Sequence, residues 1–173
     1  MYRAAGFPCR WAMLHRAVVA LLSLLWFCSE APAAYYSMEG VVAEVVDGDT
    51  VYLSDGTAVR YLGINTPEVR KKVHRKWVYD PKPYALEAAR HNRGWVEGKT
   101  VRLEVNDAAP RDRYGRLLAY VFVGSLFVNE RLLEAGLGRT YLLPPHTRYN
   151  AELKRAQAKA KAARLGIWSA SKP

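Results

Sequence analysis

The sequence has 173 residues and a formal net charge of +10, from 26 Lys and Arg against 16 Asp and Glu. This length favours one domain. Cys9 and Cys28 both lie near the N-terminus, so residues 34–173 contain no cysteine and cannot form a disulfide-stabilised scaffold. The positive charge is compatible with plain solubility, but it also favours a polyanionic partner, because phosphates attract Lys and Arg and release counterions on binding.

The N-terminal segment has the pattern of a targeting signal. Three arginines precede an apolar run at 17–28, which is too short to span a bilayer as a helix and suits the core of a signal peptide. Small residues follow, and we expect cleavage after Ala33 or one residue later. We therefore predict a signal peptide at 1–33, one domain at 34–173, and export to the periplasm or the medium. A retained N-terminal anchor is the alternative.

The next part of the chain alternates short apolar segments with Asp and Gly, which is typical of strands joined by turns. A basic segment at 69–83 contains two prolines and no periodicity, and it predicts a loop. Five strands are predicted, at 40–46, 51–53, 57–64, 100–106 and 114–123.

Three helices are predicted from apolar spacing. The first carries its apolar side from Ala85 to Val96. The second is expected to be capped by Asn129 and to stop at Gly136. The third begins near Tyr149, and its basic side is interpreted as a solvated surface. Five strands and these helices predict an α+β fold with a closed OB-type barrel, an architecture that commonly carries nucleic-acid or oligosaccharide sites.

Three polar clusters interrupt the predicted strands. They are DGDT at 47–50, RYLGINTPE at 60–68 and DRYGR at 112–116. Each alone is open to a structural interpretation: a tight turn, a strand end with a salt bridge, and a basic hairpin.

Together and in this order, the three clusters resemble the staphylococcal nuclease (thermonuclease) family. The resemblance extends over roughly 40–169 and includes VNERLLEAGL and the terminal LGIWS. It implies an OB-type five-stranded barrel with three helices. It also implies an exported, calcium-dependent nuclease, expected to act as an endonuclease, that hydrolyses phosphodiester bonds in DNA or RNA.

The resemblance assigns roles to individual residues. Asp49 corresponds to the carboxylate ligand of calcium, and Thr66 to the residue whose backbone carbonyl binds the metal. Glu68 corresponds to the proposed general base, which orients or deprotonates the attacking water. Arg60 and Arg116 correspond to the two phosphate-binding arginines. This set is chemically reasonable, because a cation and two arginines offset the charge of a phosphodiester and stabilise its transition state.

Further positions follow from the same resemblance. Arg113 and Tyr114 correspond to residues that contact a nucleotide phosphate, and Tyr141 matches another ligand-contacting tyrosine within one residue of alignment. Asn65 stands where the family's prototype has a second metal-binding aspartate. An amide oxygen can still bind calcium, but the lost charge puts metal affinity and metal preference in question. Asp47 is a candidate to offset this loss from outside the metal's immediate shell.

The basic segment after Glu68 has two interpretations. Its cations at 70–76 can guide a phosphate backbone while Trp77 or Tyr79 stacks on bases, or the segment is a disordered, solvated loop. His74 and His146, like the other scattered histidines, receive no catalytic or metal role.

The expected partner is single-stranded or locally open DNA or RNA. We expect a monomer with no obligate protein partner and, once processed, no membrane association. One alternative is a non-catalytic nucleic-acid-binding module on the same fold. Another is an exported basic protein that binds acidic cell-surface polymers. The joint presence of Asp49, Arg60, Glu68 and Arg116 favours an enzyme.

Overall fold

The computed structural model describes residues 34–74, 76–146 and 148–169, so the predicted signal peptide lies outside the described residues. Within these ranges the chain forms ten strands, three α-helices and a short 3-10 helix. The strands are β1 (Tyr35–Val45), β2 (Thr50–Leu53), β3 (Ala58–Tyr61), β4 (Gly63–Asn65), β5 (Arg70–Val73), β6 (Lys76–Tyr79), β7 (Thr100–Asn106), β8 (Leu117–Val123), β9 (Leu126–Phe127) and β10 (Arg139–Tyr141). The helices are α1 (Ala85–Val96), α2 (Val128–Glu134), α3 (Asn150–Ala162) and the 3-10 helix Gly166–Trp168. In the described part of the chain, no helix combines the length and apolar character needed to cross a membrane.

Five strands close into a barrel. They follow the order β3-β2-β1-β7-β8, with antiparallel neighbours, and β3 pairs in parallel with β8 to complete the ring. This arrangement with three helices confirms the predicted α+β, OB-type fold. The barrel interior is filled by buried side chains, mostly β-branched, which pack well on a pleated surface. They include Val42, Val51, Val59, Val101, Leu103, Val105 and Val121.

The helices supply the rest of the core. The predicted apolar side of α1 is confirmed, since its buried residues run from Ala85 to Val96. Helix α2 packs against α3 and against β8, and it buries Leu132 and Leu133. Helix α3 contributes Leu153 on a buried side, while its basic residues point outward as predicted.

The predicted strand at 57–64 is divided into β3 and β4. The chain bends at Gly63, whose φ is +75° and where a Cβ would come within 2.4 Å of a Leu153 methyl group. Glycine meets both requirements because it has no side chain and tolerates positive φ. The bend takes β4 out of the barrel sheet to pair with β10 in a separate two-stranded sheet.

The predicted loop at 69–83 is partly wrong. Strands β5 and β6 pair as an antiparallel hairpin within it. The pattern gave no strand signal because β6 is exposed along its whole length and β5 along most of it. Alternating polarity marks a strand only when one of its faces is buried.

The predicted helix cap at Asn129 is also wrong. Helix α2 begins at Val128, with Phe127 at its N-cap position, two residues before the predicted cap. Asn129 is fully buried. Its side-chain oxygen accepts the backbone N–H of Val121 at 2.9 Å, and its side-chain nitrogen donates to the carbonyl of Leu62 at 2.8 Å. Asn129 therefore ties β8 to the bend that follows β3.

We expect Asn129→Ala to lower the free energy of unfolding by about 2–4 kcal/mol. It would leave two buried backbone groups without partners, each costing about 1–3 kcal/mol. Arg131→Ala on the same helix is the matched control, because its exposed pair with Glu134 should contribute less than about 1 kcal/mol. Urea unfolding measures both variants, and equal losses would show that Asn129 has no special structural role.

Candidate active site

The three polar clusters meet at one side of the barrel because of strand register. The first cluster joins β1 to β2, and its last residue, Thr50, pairs with Arg60 of β3. Arg60 in turn pairs with Leu118 of β8. Strand β8 begins at Leu117, directly after the third cluster. The second cluster ends beyond β4, at Glu68. Motifs that are about 70 residues apart in sequence are thus neighbours in space.

Asp49 is the buried centre of this arrangement, with only 2% of its surface exposed. One carboxylate oxygen accepts the backbone N–H of Thr66 at 2.7 Å, and the other lies 3.3 Å from the Thr50 hydroxyl. The guanidinium of Arg60 forms an ion pair with the same carboxylate. Asp49 therefore links the first cluster to two residues of the second, Arg60 near its start and Thr66 near its end.

Close packing holds the turn that carries Asp49. A Cβ on Gly48 would come within 2.7 Å of both Ala88 of α1 and the Thr66 hydroxyl, so the turn approaches the helix as only glycine permits. Asn92 of α1 donates to the carbonyl of Asp47 at 3.2 Å. Helix α1 thereby fixes the position of the turn.

Arg60 bridges the residues that were predicted to bind metal. Besides its pair with Asp49, it donates to the side-chain oxygen of Asn65 at 2.6 Å. Its side chain is only 12% exposed. Burial lowers the pKa of Arg60, and the nearby carboxylate of Asp47 partly offsets that shift. A positive charge at this position is therefore stabilised by its neighbours rather than by water.

Glu68 is half-buried beside a second carboxylate. Burial raises the pKa of Glu68, and the charge of Asp47 raises it further, while Arg60, Lys82 and Arg116 act in the opposite direction. Burial likewise raises the pKa of Asp47, whose carboxylate accepts the backbone N–H of Asp49 at 3.0 Å. Glu68 is consequently a more basic carboxylate than an exposed glutamate.

Asp112 holds Arg116 in place. Nε and Nη2 of Arg116 lie 2.8 and 2.7 Å from the same carboxylate oxygen. The other oxygen accepts the backbone N–H groups of Tyr114 at 2.8 Å and Arg116 at 3.0 Å. Although burial alone would raise it, the pKa of Asp112 is lowered overall by these hydrogen bonds. Asp112 and Asn92 are positioning residues to which the sequence assigned no role.

One cleft of about 550 Å³ collects most of the predicted site residues. Its lining includes Arg60, Asn65, Glu68, Arg113, Tyr114, Arg116 and Tyr141. Tyr114 and Tyr141 are 67% and 56% exposed, so both rings are open to a ligand. Thr66 lines an adjoining cleft that also contains Glu68, and Asp49 lies buried beneath Arg60.

The predicted metal ligands supply oxygen donors of the hard type that calcium prefers. They offer one carboxylate, from Asp49, and one side-chain amide oxygen, from Asn65. The described residues contain no group of three or more His, Cys, Asp or Glu side chains suited to hold a metal. Arg60 contacts the same two side chains, so the donor chemistry fits a cation that competes with this guanidinium.

The comparisons with known proteins all indicate the same family. Residues 58–170 match the family described as "Staphylococcal nuclease homologue". The chain is 41% identical over 128 residues to the SPbeta prophage-derived endonuclease YokF of Bacillus subtilis (strain 168), covering 72% of this chain and 42% of that protein. It is 38% identical over 130 residues to Endonuclease YncB of the same strain, covering 73% and 59%. It is 36% identical over 131 residues to the Thermonuclease of Staphylococcus intermedius, covering 74% of each chain. The chain thus spans about half the length of the two Bacillus relatives.

We expect Asp47→Asn to lower the pKa of Glu68, because it removes the neighbouring negative charge that raises that pKa. Asparagine keeps an oxygen that can accept the Asp49 N–H. Asp55→Asn is a matched control, since Asp55 makes the same kind of bond to Thr57 on an exposed turn. A carbon-detected NMR titration of Glu68 measures the effect. An unchanged or higher Glu68 pKa in Asp47→Asn would contradict the electrostatic coupling.

Proposed function

Because the chain belongs to the staphylococcal nuclease family, we propose that it hydrolyses phosphodiester bonds of DNA or RNA, as an endonuclease. One observation carries the proposal: Arg60, Glu68 and Arg116 line a single cleft. A binding module needs cations to hold phosphate, but it has no need of a carboxylate with a raised pKa in the same cleft.

The two arginines stabilise the reacting phosphoryl group. Arginine remains protonated and can donate two parallel hydrogen bonds to phosphate oxygens. Arg116 is prepared for this role, because Asp112 orients its guanidinium before substrate arrives. Donors fixed in advance stabilise charge that grows in the transition state without a further cost of reorganisation.

Glu68 positions or deprotonates the attacking water. Its raised pKa makes it a better proton acceptor than an exposed carboxylate, and its place beside both arginines brings the water close to the phosphorus. General-base catalysis of this kind contributes about 10²–10⁴-fold in rate. The water's proton passes to Glu68 as the water oxygen bonds to phosphorus, the opposite P–O ester bond breaks, and the departing oxygen takes a proton from solvent.

We propose calcium as the cofactor, held by Asp49, Asn65 and the carbonyl of Thr66. A bound divalent cation supplies Lewis-acid stabilisation of the phosphate charge. These residues offer few oxygens, so substrate and water would have to complete a shell of about 6–8 ligands. Asp49 and Asn65 would exchange their contacts with Arg60 for contacts with the cation, which leaves Arg60 free to meet the substrate.

Substrate contacts beyond the reacting phosphate are assigned to Arg113, Tyr114 and Tyr141. The Arg113 guanidinium lies 4.9 Å from the Tyr114 ring centroid, so charge and an aromatic face are presented together. Such combinations suit single-stranded or locally open nucleic acid. We further propose that a monomer acts on it outside the cytoplasm, after export by the segment at 1–33.

We expect Glu68→Gln and Arg116→Ala each to lower kcat by at least about 100- to 1000-fold, the usual effect of removing one preorganised group from such a site. Substrate affinity should change much less, because other cations still hold the phosphate backbone. Initial rates on single-stranded DNA measure kcat and KM.

Circular dichroism provides the folding control for both variants. The pKa of Glu68 is raised in the folded state. Ionisation of Glu68 therefore destabilises the fold once the pH rises above the ordinary pKa of a glutamate. Glu68→Gln should therefore be at least as stable as the wild type at neutral pH. Near-normal kcat in folded variants would refute the catalytic assignment.

A further inference from the structure

The β5–β6 hairpin has two faces of different chemistry. Cross-strand partners lie on the same face of a ladder, and Arg70 pairs with Tyr79 while Lys72 pairs with Trp77. One face therefore interleaves two cations with two aromatic rings, and the Lys72 ammonium lies 5.9 Å from the Trp77 ring centroid. The opposite face has no aromatic residue among its described members.

The two aromatic rings are open to solvent. Trp77 and Tyr79 are each 64% exposed, although large aromatic side chains are usually well buried. Two residues along a strand rise by about 6.8 Å, so both rings stand side by side on the ribbon. Exposed aromatic faces next to cations are the usual means of binding single-stranded nucleic acid without sequence readout.

A groove of about 280 Å³ connects this face to the active site. Arg70 and Trp77 line it from the hairpin, and Tyr52 lines it from β2. Glu68 and Arg116 line both this groove and the cleft described above. A strand whose phosphate lies between Arg60 and Arg116 can therefore continue from the cleft into the groove.

Charge selects which part of a nucleotide enters the groove. Three carboxylates line the groove, from Glu44, Asp47 and Glu68, against two cations, from Arg70 and Arg116. Because the carboxylates outnumber the cations, the groove favours a neutral group over a phosphate. A nucleobase is neutral and has a flat face that can lie on Trp77. The phosphate would lie at the edge of the groove, where Arg70 lines it and Lys72 shares the same face of the hairpin.

We propose that the Trp77 face of the β5–β6 hairpin is a nucleobase platform for the nucleotide adjacent to the cleaved phosphate. Trp77 stacks on the base, and Arg70 and Lys72 hold its phosphate. The proposal rests on the proposed nuclease function and specifies its substrate, a single strand that extends beyond the cleft. It gives the hairpin the role of an added binding subsite.

The test compares Trp77→Ala with Val78→Ala in a Glu68→Gln background that binds without turnover. Val78 neighbours Trp77 in β6, is 43% exposed and lies on the opposite face. Fluorescence anisotropy of a labelled single-stranded oligothymidylate gives Kd for each protein. Trp77→Ala should weaken binding by about 5- to 150-fold, the range for loss of one base stack. Trp77→Phe should restore most of the affinity, and Val78→Ala should match the parent.

Kinetics on the otherwise unmodified protein separate this proposal from the nuclease assignment. Trp77→Ala should raise KM for the oligothymidylate much more than it lowers kcat, and it should reduce the preference for that oligomer over a dinucleotide. Equal Kd and KM for Trp77→Ala and Val78→Ala would overturn the platform, while cleavage by the wild type would leave the proposed function standing. If the wild type cleaves nothing, the proposed function fails, and the anisotropy comparison alone decides whether the platform exists.

Discussion

The ion pair and hydrogen bonds of Asp49 hold together the part of the site that the first two clusters form. A carboxylate buried to this extent is strongly destabilising unless its oxygens have partners. Here they are supplied by the Thr66 N–H and by Arg60, which come from two different segments. The β1–β2 turn, β3 and the segment before Glu68 therefore depend on one another for their conformation. Gly48 and Asn92 make this possible, because they let the turn lie directly against α1.

The site around Asp49 also places several negative charges close to one another. Asp47, Asp49 and Glu68 crowd together, and burial raises the pKa of both Asp47 and Glu68. Arg60 neutralises Asp49 when no other cation is near, and a divalent ion at that carboxylate would release the arginine toward phosphate. Asn65 would offer such an ion the oxygen that now accepts from Arg60, without adding a charge. Cation and substrate would thus each favour the binding of the other.

Much of this arrangement follows from the sequence, because the barrel strands and helices have clear periodicity and the three clusters lie at strand ends. The division of the predicted strand at 57–64 into β3 and β4 does not follow from the sequence. The bend depends on a contact between Gly63 and Leu153, which is far away in the chain. The hairpin was missed because it has little buried surface to impose alternation. Asn129 matched a helix cap locally, but burial between β8 and Leu62 decided its role. Asp112 was visible in its cluster, yet only the fold shows that both of its oxygens orient the segment carrying Arg116.

Cleavage of single-stranded DNA by the purified protein, with calcium and with an excess of chelator, tests most directly whether this buried carboxylate serves cation-assisted hydrolysis. We expect internal cleavage with calcium and loss of nearly all of it in chelator, with recovery when calcium is returned. Full activity in excess chelator would contradict the role of the cation at Asp49. Absence of cleavage under both conditions, on DNA and on RNA, would contradict the nuclease function itself.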